Sequence, residues 1–530
     1  MKKFLRDVDM GVFLPPAIIV LIIAVLAIAF PSQLSAGMSV ALKWILDEVG
    51  WFMGLVVIFM FIICVFAMCS KYGRIKMGGP NAKPLMSTPS WIALSFTSAM
   101  AIGISFWGTA EPMMHFATPA AMDGVEAYSI AAAQASMDWT FHHWGPVFFA
   151  MYCGAGVMVV FATQNMKLPY RCSSAIYPLV GDKIYGTWGK IFEAIITIAI
   201  VCSIASSLGM GALQISAGLD YAFGIPNSVT VAAIVILVMA VLYVGVSLTP
   251  IAGGMRKIGN FNMILYFFLL IFVFVFGPTR FLIENFVASI GSYLQKLPML
   301  ATNWDPFEVD GFMNSWTAFF WPWWLCACPP TGLFLAKLAQ GRTLRQFVLV
   351  NLIFPSLFCW LWMAVFGGTG MYLDIFQNAG IGQAIVQFGK DSATYELMKA
   401  LPMAGFTIIV TLICAAISFN TKASAVSVTL AGSTSKDSNS ASKISIAFWG
   451  ISIAVITAVL LLAGGKASLA NTQTVSTLLG LPVAILLVLM GIGFFKQMFH
   501  CKKYDKVGTF EDPKYISIVA DQTEDTAEKS

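Results

Sequence analysis

Charge is scarce in this sequence. Asp, Glu, Lys and Arg make up 11% of 530 residues, apolar residues make up 58%, and the formal net charge is only +5. With a mean hydropathy of +0.81, that balance excludes a soluble globular chain. Paired metal or redox motifs are missing too. The ten cysteines form no CxxC pair, Cys326 and Cys328 are one residue apart, and most lie inside apolar runs as small core residues. His115, His142, His143 and His500 form no HxxxH or HExxH pattern, which argues against a membrane-embedded metalloenzyme. No nucleophile–base constellation supports an enzyme of another kind. Only about 30 residues follow the last apolar run, too few for the output domain of a sensor. The runs are nearly uniformly apolar, unlike the polar lining of a channel. Neither a cofactor nor a nucleic-acid partner is expected.

Long hydrophobic runs are what the chain does have. Twelve are legible, near 11–31, 50–70, 88–110, 140–164, 190–215, 228–247, 258–278, 315–337, 346–370, 401–431, 444–464 and 474–499. They predict an all-α protein that crosses a hydrocarbon core about 30 Å thick twelve times. Lys2, Lys3 and Arg6 before the first run resemble a signal peptide, but no small-residue cleavage site follows, so it reads as the first span. Alternate loops hold fourteen basic residues against six in the other set. That asymmetry places both termini in the cytoplasm. Between spans seven and eight, FLIENFVASIGSYLQKL reads as an amphipathic helix on the outer surface. The tail after Cys501 holds five basic and seven acidic residues and reads as solvated and disordered.

Aromatic residues mark two of the spans. Trp316, Phe320, Trp323 and Trp324 share one helix face. Trp323 and Trp324 lie eight and nine residues into their span, roughly 12 to 14 Å deep at about 1.5 Å per residue. Interfacial anchoring does not explain tryptophans near mid-membrane. A cage that holds a quaternary ammonium group by ring faces does. The fourth span opens WTFHHWGPVFFAMYCG, where Trp144, Phe148 and Tyr152 recur at helical spacing and Phe149 stands one residue round. The third contains SAMAIGISFWGTAEP, whose small residues suit either close packing or an unwound midplane site.

WTAFFWPWWLCACPPTGLFLAKLAQGR resembles the signature of the betaine/carnitine/choline transporter family, and FWGTAEPMMHFATP, HHWGPVFFAMY and YGTWGKIFEAIITIAIVCSIASSLGMGALQISAGL resemble its other landmarks in order. The resemblance covers roughly residues 10 to 500. It implies a leucine-transporter-type fold with two inverted five-helix repeats, spans three to seven and eight to twelve. The expected layout is two extra N-terminal helices in 1–87, a first repeat in 88–278, an external helix and loop in 279–314, a second repeat in 315–500 and a tail in 501–530. It further implies a homotrimer in the bacterial inner membrane, in contact with lipid. A substrate box is implied at Trp144, Phe149, Tyr152, Trp323 and Trp324, with Met100 and Gly103 on the third span. Spacing favours Phe148 over Phe149; the resemblance favours Phe149.

The departures bear on substrate and coupling. Gly103 stands where choline-type members often carry an acidic residue, which favours a zwitterion such as betaine or carnitine. Ala327 and Pro330 replace aromatics, so a second, lower cage is not expected. Pro322, Pro329 and Pro330 are expected to distort the eighth span. Sodium-coupled relatives read ITSADSG where this chain has Ile417, Ser418, Phe419, Asn420, Thr421, Lys422 and Ala423. One sodium-binding hydroxyl remains at Ser418 and one is lost at Phe419. Lys422 lies near mid-membrane, where an ionisable side chain is costly and functional by default; the alternative is a lysine that snorkels to the cytoplasmic face. Ala99 belongs to the same expected ion site. These features predict sodium-independent exchange of quaternary ammonium compounds. A sodium-coupled glycine betaine symporter is the alternative.

Overall fold

A computed structural model describes residues 7–248, 254–307, 310–436, 441–465 and 468–522, and within them every side chain except those of 96–101, 254–257, 468 and 521. The described residues are mostly helical, with short connecting loops, two isolated bridges (Val8 to Ser435, Lys76 to Thr343) and no strand. A lipid-embedded backbone has no water to satisfy its polar groups, and helices satisfy them internally.

The principal helices are α1 (Met10–Ala29), α2 (Pro31–Trp44), α3 (Gly50–Cys69), α4 (Thr88–Ala117), α5 (Ile130–His143), α6 (Pro146–Gln164), α7 (Thr187–Phe223) and α8 (Val229–Ser247). They continue with α9 (Gly254–Phe276), α10 (Thr279–Thr302), α11 (Thr317–Leu338), α12 (Phe354–Gln377), α13 (Ala404–Ser433), α14 (Lys443–Gly464) and α15 (Ser468–Phe499). Ten helices among the described residues are long and apolar enough to cross a membrane. Neither α4 nor α11 is one of the ten, although both are long, at 30 and 22 residues. In α11 three tryptophans and three prolines dilute the hydropathy that otherwise marks a span.

Burial divides the helices. Of the most apolar window, 94% is buried in the stretch Ile130–Gln164 and 89% in Thr187–Phe223, but only 28% in Val229–Ser247. So α6 and α7 form the centre, and α8 presents most of its surface outward. The central helix α6 packs on α11 and α3, while α7 packs on α13 and α15. Gly156 on α6 and Gly332 on α11 permit the closest approach: a Cβ built on Gly332 lies 2.6 Å from the Ala155 side chain.

Two local expectations change. Pro322, Pro329 and Pro330 all lie inside one unbroken helix, so the missing amide donors do not interrupt α11. Residues 501–522, expected to be a solvated tail, are folded onto the body. Lys506 N donates to Asn165 O at 2.9 Å, Asn165 Nδ2 donates to Thr509 Oγ1 at 3.0 Å, and Cys501, Phe510, Ile518 and Val519 are buried. A few apolar side chains spaced along a charged segment anchor it, and composition averaged over the tail hides them.

Candidate functional site

The fourth span is split. Gly145 is extended (φ −108°, ψ −156°) and Pro146 occupies the first turn of α6, so α5 ends at His143 and Trp144 caps it. From that break Trp144 meets Trp324 of α11 edge to face, centroids 5.4 Å apart at 78°. Phe148 lies 4.6 Å from Trp324 and 5.2 Å from Tyr152, and Tyr152 meets Trp324 at 6.4 Å and 86°. Trp323 stacks on Trp324 at 4.4 Å and 24° and reaches Phe320 at 6.0 Å. All these rings are buried, and Trp324 Nε1 has no hydrogen-bond partner. The structure thus brings Trp144, Phe148, Tyr152 and Trp324 together. Phe149 is also buried, with Phe148 its ring neighbour at 4.6 Å.

Gly103 faces this cluster. A Cβ placed there would lie 3.3 Å from the Trp144 ring and 3.7 Å from that of Trp324. One methyl group would therefore press on the Trp144 ring and fill the space up to Trp324, narrowing the gap between the walls. Gly103→Ala is expected to weaken substrate binding about tenfold in an equilibrium binding titration, with little change in thermal stability. Helix α4 is continuous through 99–103. The side chains of Ala99 and Met100 lie outside the described residues.

Sequence reasoning missed the carboxylate that fixes this box. Glu111 Oε2 accepts a 2.6 Å hydrogen bond from Trp144 Nε1, and Glu111 Oε1 lies 2.7 Å from His143 Nδ1. His143 Nε2 lies 2.9 Å from Thr317 Oγ1, at the start of α11. One chain of contacts thus ties α4, the break between α5 and α6, and α11, the elements that carry the rings. Glu111 and His143 are buried. The signal was present in the motifs GTAEP and HHWG, each read only for its neighbours. Outside the spans, Lys390 places its ammonium 4.4 Å over the Trp316 ring and 5.4 Å over that of Trp107. Burial lowers its pKa, and the Glu111 charge opposes that shift.

The expected ion-site residues are dispersed. Ser418 Oγ accepts from Asn262 Nδ2 at 2.8 Å and lies 2.8 Å from Tyr266 OH, so its hydroxyl faces α9. Phe419 is buried beside Gly211 of α7, where a built Cβ would lie 3.0 Å from its ring and 3.5 Å from Ile102 of α4. Lys422 Nζ reaches Ser207 Oγ of α7 at 3.3 Å.

Long apolar helices packed around a buried aromatic cluster describe a multi-span membrane protein. The family model for betaine/carnitine/choline transporters matches residues 11–503. The chain belongs to that family, whose members are transporters rather than enzymes. It is 32% identical over 491 residues to the glycine betaine transporter OpuD of Bacillus subtilis, covering 91% of this chain and 94% of that protein. It is 31% identical over 490 residues to the ectoine/hydroxyectoine transporter of Virgibacillus pantothenticus, covering 92% and 96%. It is also 30% identical over 494 residues to the high-affinity choline transport protein of Escherichia coli, covering 92% and 72%.

Proposed function

We propose that this transporter carries a betaine- or carnitine-like zwitterion by sodium-independent exchange, one substrate entering as a related metabolite leaves. The observation that carries the substrate class is the convergence of Trp144, Phe148, Tyr152 and Trp324 opposite Gly103. Ring faces attract an onium group by about 2 kcal/mol or more once it is desolvated. Trp324 Nε1, buried without a partner, supplies a donor for the substrate carboxylate. The named relatives carry glycine betaine, ectoine or choline. The absence of an acidic side chain at Gly103 favours a zwitterion over choline, which brings no carboxylate of its own.

The architecture we assign is twelve spans, with α4 and α11 added to the ten most apolar, in two inverted five-helix repeats. The helix pairings support it. Numbered within repeats, the contact of α6 with α11 is mirrored by that of α12 with α4, and α7 with α15 by α13 with α9. Contacts of α7 with α13 and α8 with α14 map onto themselves. A homotrimer with both termini in the cytoplasm completes the reading, the latter supported by the loop charges.

Coupling is the finer part. Lys422 is a fixed cation on the helix where sodium-coupled relatives bind the ion. Phe419 offers no oxygen, and the Ser418 hydroxyl is engaged by Asn262 and Tyr266. The test uses purified protein in liposomes preloaded with unlabelled betaine or carnitine, with uptake of labelled compound followed with and without a sodium gradient. Uptake that needs internal substrate and ignores sodium is expected. Uptake into empty liposomes that collapses without sodium would establish the sodium-coupled symporter instead.

A further inference from the structure

Three buried side chains converge above the aromatic box. Glu111 Oε1 lies 2.7 Å from His143 Nδ1 and 3.4 Å from His115 Nε2, and one donor atom from each residue falls within 4.8 Å of the other two. None of the three is more than 1% exposed. The contact from His115 Nε2 lacks hydrogen-bond alignment, and His115 Nδ1 has no hydrogen-bond partner. Burying an imidazole that way is costly. His115 meanwhile packs at a tilt against two rings, 4.3 Å from Trp316 and 5.2 Å from Phe312, which holds it in place beside the carboxylate.

With Nδ1–H donating to Glu111 Oε1 and Thr317 Oγ1–H donating to Nε2, both contacts of His143 are ordinary hydrogen bonds; a metal ion on Nδ1 would displace that proton and leave an Nε2–H to donate to Thr317. We propose that Glu111, His115 and His143 form a site for a divalent transition-metal ion of the zinc class. Two imidazoles and one carboxylate are a known zinc donor set, and nitrogen donors select against magnesium and calcium. Bonds of about 2.0–2.1 Å require tetrahedral donors roughly 3.3 Å apart; the 3.4 Å pair of Glu111 and His115 already fits, the 2.7 Å pair of Glu111 and His143 has to open, and the two histidine nitrogens, within 4.8 Å of each other, complete the set. Thr317 then serves as the outer partner that orients a ligating histidine.

On the orientation proposed above, access is from the outer side. A cavity of about 260 Å³ there is lined by Met122, Asp310 and Phe312, among others, and Phe312 is the ring against His115. The site connects to the substrate box through one group, because the second oxygen of Glu111 holds Trp144. Metal on Oε1 draws charge from Oε2 and loosens the Trp144 indole. The ion thus acts as an external inhibitor. Lys390 is the opposing charge: its ammonium faces Glu111 from the loop between α12 and α13, held over Trp107 and Trp316. Removing it favours the metal.

The experiment uses the full chain, purified and reconstituted in liposomes, with zinc chloride in chelator-free buffer. Zinc retained per chain after equilibrium dialysis and the change in tryptophan fluorescence are read against zinc concentration. One zinc per chain is expected in the native protein, unchanged by millimolar magnesium or calcium. His115→Ala is expected to weaken binding at least tenfold and remove the fluorescence change, and Lys390→Met to tighten binding. Native protein that retains no zinc overturns the proposal by itself. So does His115→Ala protein that binds zinc as tightly as the native chain. Neither readout depends on which onium compound is carried or on sodium.

Discussion

Replacing Trp324 by leucine is expected to raise the Kd for betaine or carnitine at least thirtyfold, while phenylalanine at the same position restores most of the affinity. Trp324 is the ring that the others share, with Trp144 at 5.4 Å, Phe148 at 4.6 Å, Tyr152 at 6.4 Å and Trp323 at 4.4 Å. A desolvated cation–π contact is worth about 2 kcal/mol or more, and 1.4 kcal/mol corresponds to a factor of ten. Leucine conserves burial and most of the packing but has no ring face, so the comparison isolates the electrostatic part. The measurement is equilibrium binding of labelled substrate to purified protein, with size-exclusion elution as the check on folding. A leucine variant that binds within threefold of the native protein would show that the rings are helix packing and not a cage. The phenylalanine variant also lacks the indole N–H, so residual loss there combines the missing donor to the carboxylate with the smaller ring face.

Membrane class and most helix positions were legible because they rest on sums over twenty residues. A span is long, apolar and insensitive to any one position. The aromatic cluster was legible for a different reason: tryptophan deep in a span has no interfacial role, so Trp323 and Trp324 stood out by depth alone. Spacing also selected Phe148, whose ring touches Trp144, Tyr152 and Trp324. It did so because α6 is a regular helix from Pro146 onward.

What the sequence hid depends on contacts between distant elements. Glu111 meets His143 across 32 positions and Thr317 joins them from 174 positions beyond His143. No local pattern encodes such a meeting, because the partners sit on helices whose mutual rotation is set by packing. The folded tail was hidden for a related reason. Phe510, Ile518 and Val519 are a few apolar residues in a mostly charged segment, and Asn165, more than 300 positions away in the sequence, bonds Lys506 and Thr509 of the same segment. Lys422 falls between the two cases. Its depth was readable from the span; its reach to Ser207 on α7 was not.

Lys422→Met is expected to reduce sodium-free exchange at least tenfold, and added sodium is not expected to restore it. Methionine matches much of the lysine stem, so α13 keeps its packing while the ammonium and its contact with Ser207 Oγ at 3.3 Å are lost. On the proposed reading the charge is the functional part, because an ionisable group at mid-membrane is expensive to keep without a role. Sodium cannot substitute for it, since Phe419 offers no oxygen and fills the space beside Gly211 and Ile102, while the Ser418 hydroxyl is engaged by Asn262 and Tyr266. Lys422→Arg keeps the charge and should retain most of the exchange. The measurement is counterflow in preloaded liposomes, with sodium and then with choline-free potassium buffer, on protein whose substrate affinity has been determined separately. Methionine at this position with native exchange rates would mean that the ammonium snorkels to the cytoplasmic face and takes no part in coupling. Loss of binding rather than of exchange would place Lys422 in the substrate path itself. Intact binding with exchange lost is the outcome that a fixed cation, standing in for a coupling ion, requires.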